Sequence, residues 1–109
     1  MRRDRRPTDI EQFEKLYNEQ HVPMAIEKLA GKTKFVATKV TASPGGTPAF
    51  HRIAEIHFPS LEALNACTAS QAAQETIAHA ESISTGGEPI FLIAEEEVFT
   101  FADEKEAAA

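Results

Sequence analysis

The chain has 109 residues, of which 42% are hydrophobic and 26% are charged, and its formal net charge is -6 at pH 7. This fits one globular domain over residues 1–101, followed by an acidic, alanine-rich tail at 102–109 that we expect to be disordered. The negative charge argues against nucleic-acid binding, because the arginines within residues 1–6 are too few and too terminal to form a binding surface. The longest apolar run, Ile90 to Ala94, is far shorter than the ~20 residues of a membrane span, and no apolar signal segment follows the basic start. We therefore expect a cytoplasmic protein without a membrane partner.

The first predicted helix is indicated by inward positions that recur every three or four residues, namely Ile10, Phe13, Tyr17, His21 and Met24. Thr8 and Asp9 are good capping residues for its start. The period places Tyr17 and His21 on the same inner face.

Pro23 is expected to interrupt this helix. It lacks the amide that would bond to the Glu19 carbonyl, and it biases Val22 away from the helical region. We therefore predict a break between His21 and Val22, with a short helix restarting at Pro23. His21 would then lie at a helix C-terminus, where the helix dipole favours a protonated imidazole.

The next elements read as a hairpin, two helices and a last strand. Residues 34–41 and 50–58 alternate and are rich in β-forming residues, and a dense turn signal separates them. Ser60 and Ser70 are expected to cap helices that run to about residues 69 and 82. The turn at residues 85–87 leads into a strand from Pro89 to about Phe99.

This order matches a ferredoxin-like α+β fold, in which an antiparallel sheet carries helices on one face, except at its first strand. That strand should precede Thr8 and lie at the centre of the sheet, but residues 1–6 are rich in arginine. Three explanations stay open: the arginine-rich segment fills the central place, the true strand has been cut away, or the long last strand compensates.

A second copy of the chain is the expected partner. The run from Ile90 to Ala94 is apolar on both faces of its strand, yet the predicted helices cover one face of the sheet alone. A two-fold homodimer is the simplest way to bury the other face. The alternative is that the two termini cover it.

Three motifs together resemble the EthD family, which is named for an association with ethyl tert-butyl ether degradation. They are Tyr17-x-x-x-His21-Val22-Pro23-Met24-Ala25, then Phe50-His51-x-Ile53-Ala54-Glu55-Ile56-x-Phe58-x-Ser60-Leu61-Glu62-Ala63-Leu64, and then Gly86-Gly87 before the last strand. The entry into the first helix, Arg6-Pro7-Thr8-Asp9 with Phe13, is also similar. The resemblance implies a dimeric α/β barrel, in which two ferredoxin-like protomers pack sheet to sheet. It further implies an oxidoreductase-like or catabolic accessory role. The arginine-rich first strand departs from the pattern.

Tyr17 and His21 are the candidate catalytic residues. His21 titrates near neutrality and could act as general base or acid, while Tyr17 could donate a hydrogen bond to a substrate oxygen. Phe13 and Met24, on the same stripe, are expected to contribute to substrate binding. The alternative is that His21 is a core histidine bonded to a backbone carbonyl.

A second candidate lies on the strand at residues 50–58. His51, Glu55 and His57 alternate with a more apolar set that should meet the helices, so we place them on the other face, toward the partner. Glu55 and His57 are added as substrate-binding residues. They could share a metal ion, although a polar interface is the simpler interpretation, and we predict no metal site. His79 is interpreted as a helix-surface residue. Cys67 is interpreted as a buried, chemically unreactive thiol, and as the one cysteine of the sequence it cannot form an internal disulfide.

The function favoured by these features is binding of a small hydrophobic organic molecule in an apolar pocket, with possible cofactor-independent turnover of an oxidoreductase, isomerase or lyase type. Phosphate-loop, nucleophile-elbow and cysteine metal motifs are absent from the sequence, so no cofactor is implied. The alternatives are a non-catalytic accessory or carrier protein that supports a partner oxidase, and a structural homo-oligomer without a pocket.

Overall fold

The computed structural model describes the backbone of residues 2–5 and the whole of residues 7–102. The predicted tail therefore lies, apart from Ala102, outside the described residues. In chain order the elements are β1 (Arg2–Arg5), α1 (Ile10–Leu16), a π-helical segment (Tyr17–His21), α2 (Val22–Lys28), β2 (Lys34–Lys39), β3 (Phe50–His57), α3 (Leu61–Thr68), α4 (Gln71–Ile83) and β4 (Ile90–Phe91).

The four strands form one antiparallel sheet in the order β2-β3-β1-β4. The arginine-rich segment Arg2–Arg5 takes the central place, between β3 and β4, so the first of the three explanations left open by the sequence is the one that the structure shows. This order, with two helical connections packed against the sheet, is the predicted ferredoxin-like α+β arrangement.

The first helix is continuous from Ile10 to Lys28, and the predicted break at His21 is wrong. Asp9 caps its start by accepting a hydrogen bond from the Gln12 amide. The helix then widens into the π-helical segment, in which the Val22 amide bonds to the Tyr17 carbonyl five residues earlier. A wider turn leaves room for the Pro23 ring, which would clash with the carbonyl four residues before it in a regular α-helix. His21 consequently lies in mid-helix, and the expected helix-dipole effect on its charge does not apply.

The hairpin and the last two helices follow the sequence prediction closely. β2 and β3 pair in register from Lys34 opposite His57 to Lys39 opposite Arg52. The side chains of Ser60 and Ser70 accept hydrogen bonds from the amides of Ala63 and Ala73, which satisfies donors at the starts of α3 and α4. Local capping chemistry therefore fixes both helix starts.

The last strand is much shorter than predicted. Among the described residues, β4 pairs with β1 at two positions, Arg2 opposite Phe91 and Arg3 opposite Ile90. Residues 92–102 continue as an exposed arm without regular strand structure. The arm carries large apolar side chains that remain more than two-thirds exposed, at Ile93, Val98, Phe99 and Phe101.

The helices pack on one face of the sheet, around a core of Phe13, Tyr17 and Ile83. The other face, which carries Glu55 and His57, has no helix over it among the described residues. In the described part of the chain, no helix has both the length and the apolar character needed to cross a membrane.

Candidate functional site

A cavity of about 250 Å³ lies between the helices and the sheet. Three small buried side chains, Ala25 on α2, Ala54 on β3 and Ala73 on α4, leave this space open. Phe35, Ile56 and Phe91 contribute further apolar surface from the sheet. The exposed arm residues Leu92 and Ile93 also line the cavity, so its mouth lies where the arm leaves the sheet.

Among the described residues that line the cavity, two have titratable side chains, His21 and Cys67. Burial raises the pKa of the Cys67 thiol, although the charge of Lys32 acts in the opposite direction. The hydroxyls of Thr68 and Thr76 donate hydrogen bonds to carbonyls of their own helices. The described part of the cavity wall is therefore largely apolar and includes one imidazole, that of His21.

A polar row runs along the helix stripe behind this wall, and it begins with Glu14. One carboxylate oxygen of Glu14 accepts hydrogen bonds from His51 Nε2 and Arg52 Nε, each at 3.0 Å, and the other accepts from Arg52 Nη2 at 2.6 Å. Burial alone would raise the pKa of Glu14, but the hydrogen bonds and charge of Arg52, followed by those of His51, hold it below its ordinary value. Glu14 is not one of the predicted inward positions, yet its hydrogen bonds connect α1 to β3.

His51 lies on the helix side of the sheet, which contradicts its predicted place toward the partner. The register of β1 against β3 shifts between Asp4, opposite Arg52, and Arg5, opposite Phe50, so His51 is the extra residue of a β-bulge. A bulge interrupts the alternation of faces, and neighbouring side chains can then point the same way. His51 and Arg52 both reach Glu14 for this reason.

Tyr17 links the two halves of the row. The Arg52 guanidinium carbon lies 4.6 Å from the centre of the Tyr17 ring, a cation-π contact, and the centre of the His21 ring lies 5.8 Å from the same point. Phe13 packs on the same Tyr17 ring at 5.6 Å. All these rings are held at the helix–sheet interface.

The row ends in a pair of histidines. His21 Nδ1 lies 3.0 Å from His79 Nδ1, and His79 Nε2 lies 3.3 Å from the side-chain oxygen of Gln20. The two rings are parallel to within 6°, with their centres 5.2 Å apart. Because the ring centres are farther apart than the two nitrogens, the rings meet at their nitrogen edges instead of stacking face to face. His79, predicted to be a surface residue, is thus a partner of His21.

The predicted site residues fall into three places. His21 lines the cavity, whereas Phe13, Tyr17 and Met24 are not among its lining residues. Phe13 and Tyr17 belong to the core behind the wall, and Met24 is half-buried on α2. Glu55 and His57 lie on the opposite face of the sheet, as the alternation of β3 predicted. Their functional roles stay predictions.

Glu55 and His57 line a wide concavity beside the arm, together with Glu95, Glu96 and Glu97. His57 Nε2 lies 3.4 Å from a Glu55 oxygen. Glu96 adds a third donor, and one ligand atom from each of the three residues lies within 4.8 Å of the others. Carboxylate and imidazole donors suit a divalent cation, but exposed carboxylates also gather without one. This cluster carries no part of the function proposed below.

The comparisons with known proteins agree with this architecture. A family model described as the EthD domain matches residues 5–82. The crystal structure of an ethyl tert-butyl ether (EthD) family protein from Bacillus halodurans superposes with a TM-score of 0.81 at 21% sequence identity, covering 88% of this chain and 94% of that chain. No curated protein matches the sequence.

The fold and the helix–sheet cavity therefore define a ferredoxin-like α+β domain of the kind seen in that crystal structure. Because the family model spans more than half of the chain, the chain belongs to the EthD family.

Replacing Glu14 by Gln should lower the free energy of unfolding by about 2 kcal/mol at pH 7, because it leaves the largely buried Arg52 without its counter-charge. The pKa of Glu14 is depressed in the folded state, so its contribution is fully present above the ordinary carboxyl pKa of ~4.3. It is lost as the pH falls through the lower folded value. Urea unfolding of both proteins from pH 7 down to acid pH should show the difference shrinking.

Glu75→Gln is the matched control for this experiment. Glu75 also has a lowered pKa, held down by its hydrogen bond to Lys28, but it lies exposed at the surface. Its replacement should change stability much less than Glu14→Gln. Equal effects of the two substitutions would mean that burial of the Glu14 ion pair does not matter.

Cys67 should react slowly with a thiol reagent in the native protein at neutral pH, because the side chain is buried and its pKa is raised. The reaction with an aromatic disulfide reagent releases a coloured thiolate, and the rise of its absorbance measures the rate. The same reaction of the protein in denaturant gives the fast reference rate. Native and denatured rates that agree would contradict the burial of this thiol.

Proposed function

We propose that this protein binds a small, uncharged, largely apolar organic molecule in the cavity between its helices and its sheet. The observation that carries the proposal is the composition of the described cavity wall, whose side chains are mostly apolar and include the imidazole of His21. Apolar pockets with a few well-placed polar groups are the usual form of small-molecule sites.

The cavity volume supports a ligand of modest size. An apolar cavity of ~150 Å³ suffices for a benzene molecule. The cavity of about 250 Å³ therefore suits a substituted ring or a branched aliphatic molecule. Its mouth beside the arm gives such a molecule a route from solvent.

His21 is proposed as the group that exchanges a proton with the bound molecule, and Tyr17 supports it from the core side. His21 is 1% exposed and lines the cavity, while the Tyr17 ring packs behind it. This arrangement favours an enzyme of acid–base type that needs no redox cofactor. A carrier that binds the same molecule without turnover is the alternative, and product formation from the bound probe distinguishes the two.

The protein is also proposed to act as a homodimer that buries the helix-free face of the sheet. Phe99 is 71% exposed and Phe101 is 74% exposed on the arm. The helix-free face itself carries apolar side chains, such as Ile53 and Ile90, that are only half-buried in one chain. A second copy packed against this face and arm would remove this apolar surface from water.

Ala73→Leu tests the cavity. The larger side chain occupies space that the probe needs, so affinity for toluene or for ethyl tert-butyl ether should fall at least tenfold, about 1.4 kcal/mol. Stability should stay the same or rise, since the added methyl groups fill open apolar space. Titration calorimetry measures the binding, and thermal unfolding measures the stability.

Ala78→Leu is the matched control, because Ala78 lies on the same helix, is exposed, and does not line the cavity. It should bind both probes like the wild type. Failure of the wild-type protein to bind either probe, or equal binding by the Ala73→Leu protein, would overturn the cavity assignment.

The chain should sediment as a dimer at micromolar concentration, with an interface on the order of 2,000 Å² or more in total. Replacing both Phe99 and Phe101 by Glu should weaken the dimer, because it would place charges in the proposed interface. The same pair of changes to Ser, which keeps the arm neutral, should have the smaller effect. A wild-type protein that sediments as a monomer would contradict the proposal.

A further inference from the structure

We propose that a second copy of this chain inserts the ammonium group of its Lys34 between the carboxylates of Glu55 and Glu96 on the helix-free face of the sheet. The inference rests on the homodimer proposed above and deepens it, because it names the contact that sets how the two copies face each other. The cluster has no part in the ligand cavity, and the second copy completes it.

The carboxylates of the cluster lie close together in one chain. One ligand atom from each of Glu55, His57 and Glu96 lies within 4.8 Å of the others. Two carboxylates at such a distance repel each other unless a cation lies nearby. In the described part of the chain, no lysine or arginine forms an ion pair with either of them. The cluster therefore favours the approach of a positive charge.

Lys34 carries a charge of the required sign on the same face. It is the first residue of β2 and lies directly opposite His57 in the register with β3, so the two side chains point to the same side of the sheet. Lys34 is exposed and has no ion-pair partner among the described residues. Strand β2 is at the edge of the sheet, where a second copy can reach this side chain.

The positions of these charges select one way of packing two copies face to face. A two-fold axis parallel to the strands places each edge of the sheet opposite the other edge in the partner, with equivalent strand ends together. The β2 edge with Lys34 then meets the side of the second copy where β4 leads into the arm with Glu96. Facing sheets lie ~10 Å apart, which a lysine and a glutamate side chain can bridge together.

The other simple packing lacks this contact. A two-fold axis across the strands would place β2 opposite β2 of the second copy, with opposite strand ends together. Lys34 would then face the end of the sheet at Lys39 and Arg52, away from the cluster. Charge complementarity therefore favours the axis parallel to the strands.

The same packing removes apolar surface from water. Val36 lies opposite Glu55, and Ile53 and Ile90 lie on either side of Arg3, so all three share the helix-free face. Each of the three is half-buried in one chain. Burial of these side chains supplies affinity, whereas the charges oppose wrong orientations, because like charges brought together are costly. The two-fold symmetry forms the Lys34 contact twice.

Exchanging the two charges between chains tests the contact. Lys34→Glu and Glu96→Lys each place like charges opposite one another at both symmetric contacts. Each variant alone should therefore raise the dissociation constant of the dimer at least tenfold in sedimentation at low ionic strength. In an equal mixture of the two variants, a heterodimer joins a glutamate to a lysine at both contacts, so its affinity should return close to that of the wild type. An ion pair within one chain predicts no recovery, because each chain would keep its own like charges.

Lys15→Glu and Glu11→Lys are the matched controls, since both residues are exposed on α1, in the helix layer on the other side of the sheet. They change the net charge by the same amounts as the two test variants. Neither control alone, nor their mixture, should change the affinity of the dimer. Thermal unfolding of every variant checks that the chain is folded.

The outcomes separate this contact from the homodimer itself. A monomeric wild type would overturn both, whereas a dimeric wild type with unchanged affinity in Lys34→Glu and Glu96→Lys would refute this contact alone. Test variants that remain as weak in the mixture as they are alone would also refute it. A wild-type dimer that dissociates when EDTA removes divalent cations would mean that a metal ion occupies the cluster in place of Lys34, and would overturn the proposal.

Discussion

The widened turn at Tyr17–His21 is the constraint on which the rest of the structure depends. The buried positions on the first helix, Phe13, Tyr17, His21 and Ala25, follow one another at intervals of four. In a regular α-helix of 3.6 residues per turn, each such step overshoots by about 40°, and three steps would rotate the last position far from the first. A π-helical turn takes up more residues, which keeps these side chains on one face. Without it, His21 could not both join the polar row and line the cavity.

The polar row has a different role at each of its two ends. At one end the Glu14 carboxylate holds His51 and Arg52, and this cluster fixes the helix against the sheet. At the other end His21 and His79 share one hydrogen bond beside an apolar cavity. The Tyr17 ring contacts both ends, since the Arg52 guanidinium lies 4.6 Å from its centre and the His21 ring centre lies 5.8 Å from it.

Much of the fold could be predicted from local sequence signals. Caps at Asp9, Ser60 and Ser70, the hairpin turn and the inward places of Phe13, Tyr17 and His21 follow from signals over a few residues, and each was confirmed. Met24 is only half-buried, and Ala25 takes the buried place instead. The errors concern features set by distant partners. The bulge that turns His51 toward the helices depends on the register with β1, a strand 45 or more residues earlier in the chain.

His79 shows why the candidate site was harder to predict than the fold. It lies on a half-buried helix position 58 residues from its partner His21, and no local pattern separates such a histidine from a surface one. A signal was nevertheless available: Ala73, Thr76, Ala80 and Ile83 define the buried face of α4, and His79 borders it. A polar residue at the edge of a buried stripe is a better candidate for a functional site than its partial exposure alone suggests.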